Sequence, residues 1–255
     1  FLWLGTDVGL SRYDGIHFHN YNSADKEPYS ITGIYETSDK MLWSRIANLN
    51  KLSCFNKMRG CYMTLASSTP EVLEDIQDLC VVKDRIYAIT SQGAVELKAE
   101  QEIDKMNITP APLPNIKGTP SKFYGYNNNL YILTRENKLI LYNLTEKKGE
   151  SLDCAELGIT NAEDIDNIHI YNEYLWICSH NNGVLCYDTI TKAARKLDKG
   201  DHTHSVQDAC VRDIIQADDT TFVMASGTSL ALVKFENKEY LKAPIKIINL
   251  IENDI

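Results

Sequence analysis

Chemistry needs particular side chains in particular patterns, and a few short stretches of this chain carry them. His17 and His19 alternate in IHFHNY, so on a strand both point to one side. Two imidazoles at that spacing can share a metal, but two exposed polar positions on a strand edge are the plainer reading. Asp201-His202-Thr203-His204 could hold a metal or touch a sugar, and reads first as a solvated loop. Glu163, Asp164 and Asp166 form an acidic group ahead of an apolar run. A glycosidase needs two carboxylates at a set separation across a cleft, which a linear sequence does not display. The GxSxG elbow and the phosphate-cradling glycine patterns GxGxxG and GxxxxGK[ST] are absent. The reading is therefore a chain with no catalytic residue, no cofactor and no metal.

The seven cysteines are Cys54, Cys61, Cys80, Cys154, Cys178, Cys186 and Cys210, with no CxxC pair among them. That argues against a zinc ribbon or a thioredoxin-type site. Most lie in apolar runs, where a thiol behaves as a small hydrophobe. Cys178 and Cys186 flank one hairpin, but direct cross-strand disulfides are strained, so a mainly reduced set is expected.

Binding chemistry is better represented. Sugar recognition pairs aromatic faces with planar polar groups in a preformed cleft. Tyr124, Tyr126 and Asn127–Asn129 make one aromatic-polar cluster, and Tyr171, Asn172 and Tyr174 make another. Both fall at a turn between two strands, at the same place in a repeat, so both are expected on one face of the molecule. Tyr35 and Arg45 are placed near the equivalent edge. The candidate ligand contacts are Tyr124, Tyr126, Asn128, Tyr171, Asn172, Tyr174 and Arg45, with the competing reading that these tyrosines line seams between sheets.

The elements that position these residues are strands, and they recur. Six aromatic residues mark the second strand of each unit: Trp3, Trp43, Tyr87, Tyr131, Trp176 and Phe222, spaced by 40, 44, 44, 45 and 46 residues. A period in the low forties, with four short strands each, is that of a β-propeller blade. In the fifth unit IDNIHIY, YLWICS, VLCYD and KAARKL are the four strands, and Asn181-Asn182-Gly183 suits a tight hairpin. The sixth unit reads VRDIIQA, TFVMAS, LALVKF and a short strand near Tyr240. IKIINLIENDI at the C-terminus reads as an opening strand that completes a composite blade with Phe1 onward. The fold expected is all-β, one propeller domain over residues 1–255, with six repeats visible and seven if the piece is truncated. TPAPLPNIKGTP (109–120) reads as a long loop between the third and fourth blades.

The 255 residues carry a net charge of −9, so binding to phosphate backbones is not expected. No apolar run approaches the roughly 18–20 residues that cross a bilayer. Starting at Phe1 without a Met, the chain reads as a piece of a longer one.

LWLGTDVGLSRYDG (2–15) resembles the repeat of the periplasmic propeller sensor regions in hybrid two-component regulators of gut Bacteroidetes. Trp3, Gly5, Thr6, Gly9, Leu10, Arg12, Tyr13, Asp14, Gly15 and Phe18 fit that repeat. The fifth unit fits partly, through Leu175, Trp176, Gly183, Tyr187 and Asp188. MLWSRI lacks the Gly-Thr, and the sixth unit lacks the Trp and the Arg-Tyr-Asp. The resemblance implies a signal-input module that does no chemistry itself and responds to oligosaccharides. It also implies a periplasmic location on an inner-membrane protein, neighbouring propeller and β-sandwich domains, a histidine kinase further along the chain, and a homodimeric full-length sensor. The rival readings are a carbohydrate-active propeller enzyme, hydrolase or lyase, and a scaffold for protein partners.

Overall fold

The computed structural model describes residues 1–22, 29–197, 210–227 and 229–252. Asp201–His204 lie outside the described residues. Contacts group the chain into two compact units, Phe1–Thr134 with Ile140–Glu150, and Arg135–Leu139 with Ser151–Ile255.

The strands follow one another as antiparallel meanders. The first sheet holds β1 (Leu2–Thr6), β2 (Gly9–Tyr13) and β3 (Phe18–Tyr21). The second holds β4 (Ile31–Glu36), β5 (Met41–Ile46), β6 (Lys51–Asn56) and the two-residue β7 (Cys61–Tyr62). Next come β8 (Thr64–Ser67) and a single helical turn, α1 (Pro70–Leu73). The third sheet is built from β9 (Asp78–Val82), β10 (Arg85–Thr90), β11 (Gly93–Gln101) and β12 (Lys105–Pro112), and β8 joins it parallel to β12 as a fifth strand. The fourth contains β13 (Pro120–Tyr126), β14 (Asn129–Thr134), β15 (Lys138–Asn143) and β16 (Lys148–Asp153). The fifth contains β17 (Ile165–Tyr171), β18 (Tyr174–Ser179), β19 (Gly183–Asp188) and β20 (Ala194–Leu197). The sixth contains β21 (Val211–Gln216), β22 (Thr221–Ser226), β23 (Ser229–Phe235) and β24 (Ile245–Glu252). The fold is an all-β propeller of antiparallel blades.

Successive residues of a strand point to opposite faces, and each inner sheet uses both faces. In the third sheet Leu79, Ile86, Ala88, Val95 and Leu97 pack with Met41, Trp43, Leu52 and Cys54 of the second. The alternate residues Cys80, Val82, Tyr87, Ile89 and Ala94 pack with Phe123, Leu130, Ile132, Ile140 and Tyr142 of the fourth. In the second unit Trp176, Cys178, Val184 and Cys186 meet Ile214, Phe222, Met224, Val233 and Phe235. Trp43, Tyr87, Tyr131 and Trp176 are buried, and Trp3 is half-buried against Tyr21 and Phe55. Five anchors, Trp43, Tyr87, Tyr131, Trp176 and Phe222, lie on the second strands of their sheets, as the period predicts, and Trp3 lies on the matching β1, which opens a three-stranded sheet.

The sixth anchor is one position out of register. Second strands end in a hydroxyl residue at Thr6, Thr90, Thr134, Ser179 and Ser226. Three of these hydroxyls donate across the turn, to the carbonyls of Gly9, Gly93 and Ser229 at 2.8, 3.1 and 3.2 Å, and Ser179 Oγ accepts from Asn182 N–H. Counting three back from the hydroxyl gives Trp3, Tyr87, Tyr131 and Trp176, but Val223 in the sixth blade. Phe222 comes from the opposite face and meets Trp176, ring centroids 4.5 Å apart.

Three further expectations are corrected. The C-terminal run does not open a composite blade. β24 pairs along the whole of β23, from Phe235↔Ile245 to Ser229↔Glu252. The stretch near Tyr240 is a turn instead of a strand. Tyr240 is fully buried in it, and its hydroxyl donates to the Asp219 carbonyl at 2.5 Å, which leaves the next apolar run to pair with β23. The proline-rich segment is also partly strand, since Pro110 pairs with Leu97 and Pro112 with Val95 in β12. The Leu113 N–H bond to the Ala94 carbonyl fixes which β12 residues hydrogen-bond β11. Pro110 and Pro112 fall between those positions, where a missing N–H costs no ladder bond.

The glycines of the first repeat have separate reasons. A Cβ on Gly5 would stand 2.4 Å from the Ile31 carbonyl oxygen, so Gly5 lets the second blade approach. Gly9 has φ +134, which a side chain opposes. In the Arg-Tyr-Asp-Gly stretch, Asp14 Oδ1 accepts from Ile16 and His17 N–H at 2.8 and 2.7 Å, and Tyr13 Oη donates to the Gly15 carbonyl. Those backbone hydrogen bonds, with His19 Nε2 at 3.3 Å, hold the Asp14 carboxyl down at about 2.

Gly5→Ala is expected to lower unfolding stability by about 1–3 kcal/mol through overpacking, and Trp176→Ala by about 3–5 kcal/mol through the cavity it leaves. Urea denaturation checks both; an unchanged Gly5→Ala midpoint would show that the blades do not meet at Ile31.

Candidate functional site

The first strands of the fifth and sixth blades read IDNIHIY and VRDIIQ, with two polar residues where alternation allows one. The pairing register slips between Ile165 and Asn167, and between Val211 and Asp213. A β-bulge adds one residue and re-aims its side chain, and bulges gather at functional rims. The residues so inserted are Asp166 and Arg212, and they form an ion pair, Nη1 to the two carboxylate oxygens at 3.1 and 3.2 Å.

The following residues join the same two strands more deeply. Asp213 Oδ1 accepts from Asn167 Nδ2 at 3.1 Å and from Ile214 N–H at 2.9 Å, and lies 2.6 Å from His169 Nε2. Burial pushes the Asp213 carboxyl up, but the His169 hydrogen bond and charge, with the two other donors, outweigh it and hold it below the ordinary range. The His169 ring stacks on Tyr171 at 5.7 Å. His180, just after β18, places Nε2 3.4 Å from Asp164 and Nδ1 3.4 Å from Asp166. The result is a partly exposed polar surface with two clusters, Asp164, Asp166, His180 and Arg212 in one and Asn167, His169 and Asp213 in the other. It can hydrogen-bond a polar ligand, and His169–Asp213 is a close acid–base pair. Among the described residues no group of three or more His, Cys, Asp or Glu side chains is arranged to hold a metal.

The residues expected from sequence are placed variously. Tyr171 Oη donates to the Ile214 carbonyl at 3.4 Å, Asn172 Nδ2 donates to Tyr240 Oη at 3.0 Å, and Tyr174 packs edge-on against Tyr240 at 5.0 Å. These three therefore line the seam between the fifth and sixth blades. Tyr124 is half-buried opposite Tyr131, Tyr126 is 42% exposed, and Asn128 Nδ2 donates to Thr145 Oγ1 at 2.6 Å. Arg45 does not join them at the turn between first and second strands. It pairs with Thr32 at the far end of β5 and donates from Nε to the Ile76 carbonyl at 2.7 Å. His19 meets Asp14. Cys54, Cys61, Cys80, Cys154, Cys178 and Cys186 are free thiols; Cys178 stands opposite Val184 and Cys186 opposite Trp176, so those two are diagonal.

Clefts among the described residues of the first unit include one of about 490 Å³ beside β6, β8 and α1, and one of about 370 Å³ around Trp43, Asp39 and Asp84. No helix among the described residues is long and apolar enough to cross a membrane.

No family model matches the sequence, and no curated protein matches it. Solved structures do. The likeness is to propellers. The extracellular domain of a protein described as a hybrid two-component system of B. thetaiotaomicron superposes with TM-score 0.64 at 13% identity, covering 96% of this chain and 34% of that one. A second such domain from B. thetaiotaomicron gives 0.51 at 15% identity, over 98% and 46%. Virginiamycin B lyase from Staphylococcus aureus, as a catalytically inactive variant with quinupristin, gives 0.62 at 13% identity, over 94% and 77%. This chain thus spans less than half the length of the two extracellular domains it resembles.

Asp213 gives a signed pH test. Its depressed folded-state value adds stability above the unfolded carboxylate range, near 3.9, and that stability is lost as pH falls through the lower folded value. Asp213→Asn should flatten the decline of the urea midpoint between about pH 5 and pH 3. An equal decline in both proteins would mean that the pair with His169 does not form in solution.

Proposed function

We propose that this chain is a ligand-sensing, signal-input part of the extracytoplasmic region of a hybrid two-component sensor histidine kinase. The observation that carries the reading is the likeness of nearly the whole chain to extracellular domains of two such systems, together with the LWLGTDVGLSRYDG repeat. In this reading the domain faces the periplasm, stands beside further propeller and β-sandwich domains, and acts in a homodimer. The ligand class is oligosaccharide. Tyr126 offers an open aromatic face for a sugar, and the bulge residues Asp166 and Arg212 offer charged hydrogen-bonding groups. Packed sheets resist internal deformation, so the signal passes by ligand binding one arrangement of the domain junctions better than another.

A second reading, a propeller enzyme, is favoured by one observation, the His169–Asp213 contact at 2.6 Å. Thermal-shift screening of the full extracytoplasmic region against an oligosaccharide library separates the two. Under the sensor reading a bound glycan raises the melting temperature, since a ligand of the native state adds RT ln(1 + [L]/Kd), and is recovered uncleaved. Turnover that disappears in His169→Ala would establish the enzyme instead. Engineered inter-protomer disulfide crosslinks that form identically with and without a responsive glycan would refute signalling through the junctions.

A further inference from the structure

The outer ladder of the second blade stops early. Asn56 pairs with Cys61 and Phe55 with Tyr62, and the Met63 N–H reaches the Cys54 carbonyl at 2.9 Å. The same register would next set Leu65 opposite Leu52. Leu65 has instead crossed to the third blade, where it pairs with Met106. The bond from Lys57 N–H to the Lys40 carbonyl shows which β6 residues hydrogen-bond β5; Phe55, Ser53 and Lys51 do, while Cys54 and Leu52 turn their backbone groups outward. Among the described residues, Leu52 thus aims one N–H and one carbonyl at a side where no strand pairs with it.

That side is the cleft of about 490 Å³, within the range of small-ligand sites. Met63, Leu65 and Leu73 supply apolar wall, and Lys51 and Glu74 form an ion pair at 2.8 Å beside it. The cleft is short along β6. Beyond Leu52 the Asn50 carbonyl is taken by Ile76 N–H at 2.7 Å.

We propose that this cleft binds a short apolar peptide of two or three residues, one of which forms a single added rung on Leu52. The ligand carbonyl accepts from Leu52 N–H, and the N–H of the same ligand residue donates to the Leu52 carbonyl. Its side chain lies against Met63, Leu65 and Leu73, and its charged ends meet Lys51 and Glu74. Strand addition works in this way, with main-chain bonds giving affinity and pockets giving side-chain choice. The proposal does not depend on the glycan reading above, and a failure of either leaves the other standing.

The probes are the tripeptide Ala-Leu-Ala, its analogue N-methylated at the central nitrogen, and cellobiose, each titrated calorimetrically into the protein. Ala-Leu-Ala is expected to bind saturably with Kd of about 1 mM or tighter. The N-methyl analogue, which cannot donate to Leu52, is expected to bind at least about tenfold more weakly. Thr64→Tyr, which fills the cleft from an exposed wall position, should abolish binding without changing the melting temperature. Absence of tripeptide binding, equal binding of the N-methyl analogue, undiminished binding to a folded Thr64→Tyr protein, or cellobiose binding in place of the tripeptide would each overturn the proposal. If Thr64→Tyr does not fold, the comparison of the two peptides on the unaltered protein decides.

Discussion

Sheets packed face to face through alternating side chains are the constraint on which the rest of this structure depends. An inner sheet of the first unit has no solvent face; one set of its residues fills the seam before it and the alternate set fills the seam after it. Each well-buried aliphatic or aromatic side chain contributes about 1.5–3 kcal/mol relative to exposure, so a seam of ten such residues outweighs any single polar contact in the molecule. Large aromatic side chains of the second strands, among them Trp43, Tyr87 and Trp176, fill part of these seams. Their phenol hydroxyls are raised by the burial that makes them useful, Tyr87 to about 12.

This arrangement confines function to strand ends, bulges and rims. Residues in the middle of a second or third strand are committed to packing. The hydroxyl at the end of the second strand and the Asp or Asn after the third are committed to turns. Asn56, Asn143 and Asp188 each take two backbone N–H groups, as Asp14 does. Open to a ligand among the described residues are the bulged start of a first strand, where Asp166 and Arg212 project, the turn that exposes Tyr126, and the split between the second and third blades, where β8 leaves its own sheet.

The split also shows how one strand's choice shapes a surface. β8 completes the third sheet by four parallel pairs with β12 and leaves β6 without a full outer neighbour. β8 becomes the outermost strand of the third blade, and the second blade gains a cleft.

The sequence by itself determined the class of fold, the second-strand positions and the turns. Their signals are local: aromatic spacing, apolar alternation, and Asn, Asp and Gly where backbones turn. It did not determine which edge a late strand would join. β8 and β24 are apolar runs that could pair with more than one neighbour, and only the assembled sheets select the partner. Nor could it separate Val223 from Phe222 as the sixth peg, because a one-residue slip reverses the face of every side chain and leaves composition unchanged. The polar network fell in the same gap. Asp166, Asn167, Arg212 and Asp213 break alternation at equivalent positions 46 residues apart, a signal present in the sequence. Its meaning, an ion pair between bulges and a histidine held on the next blade's carboxylate, exists only where tertiary packing brings those strand starts within hydrogen-bonding distance.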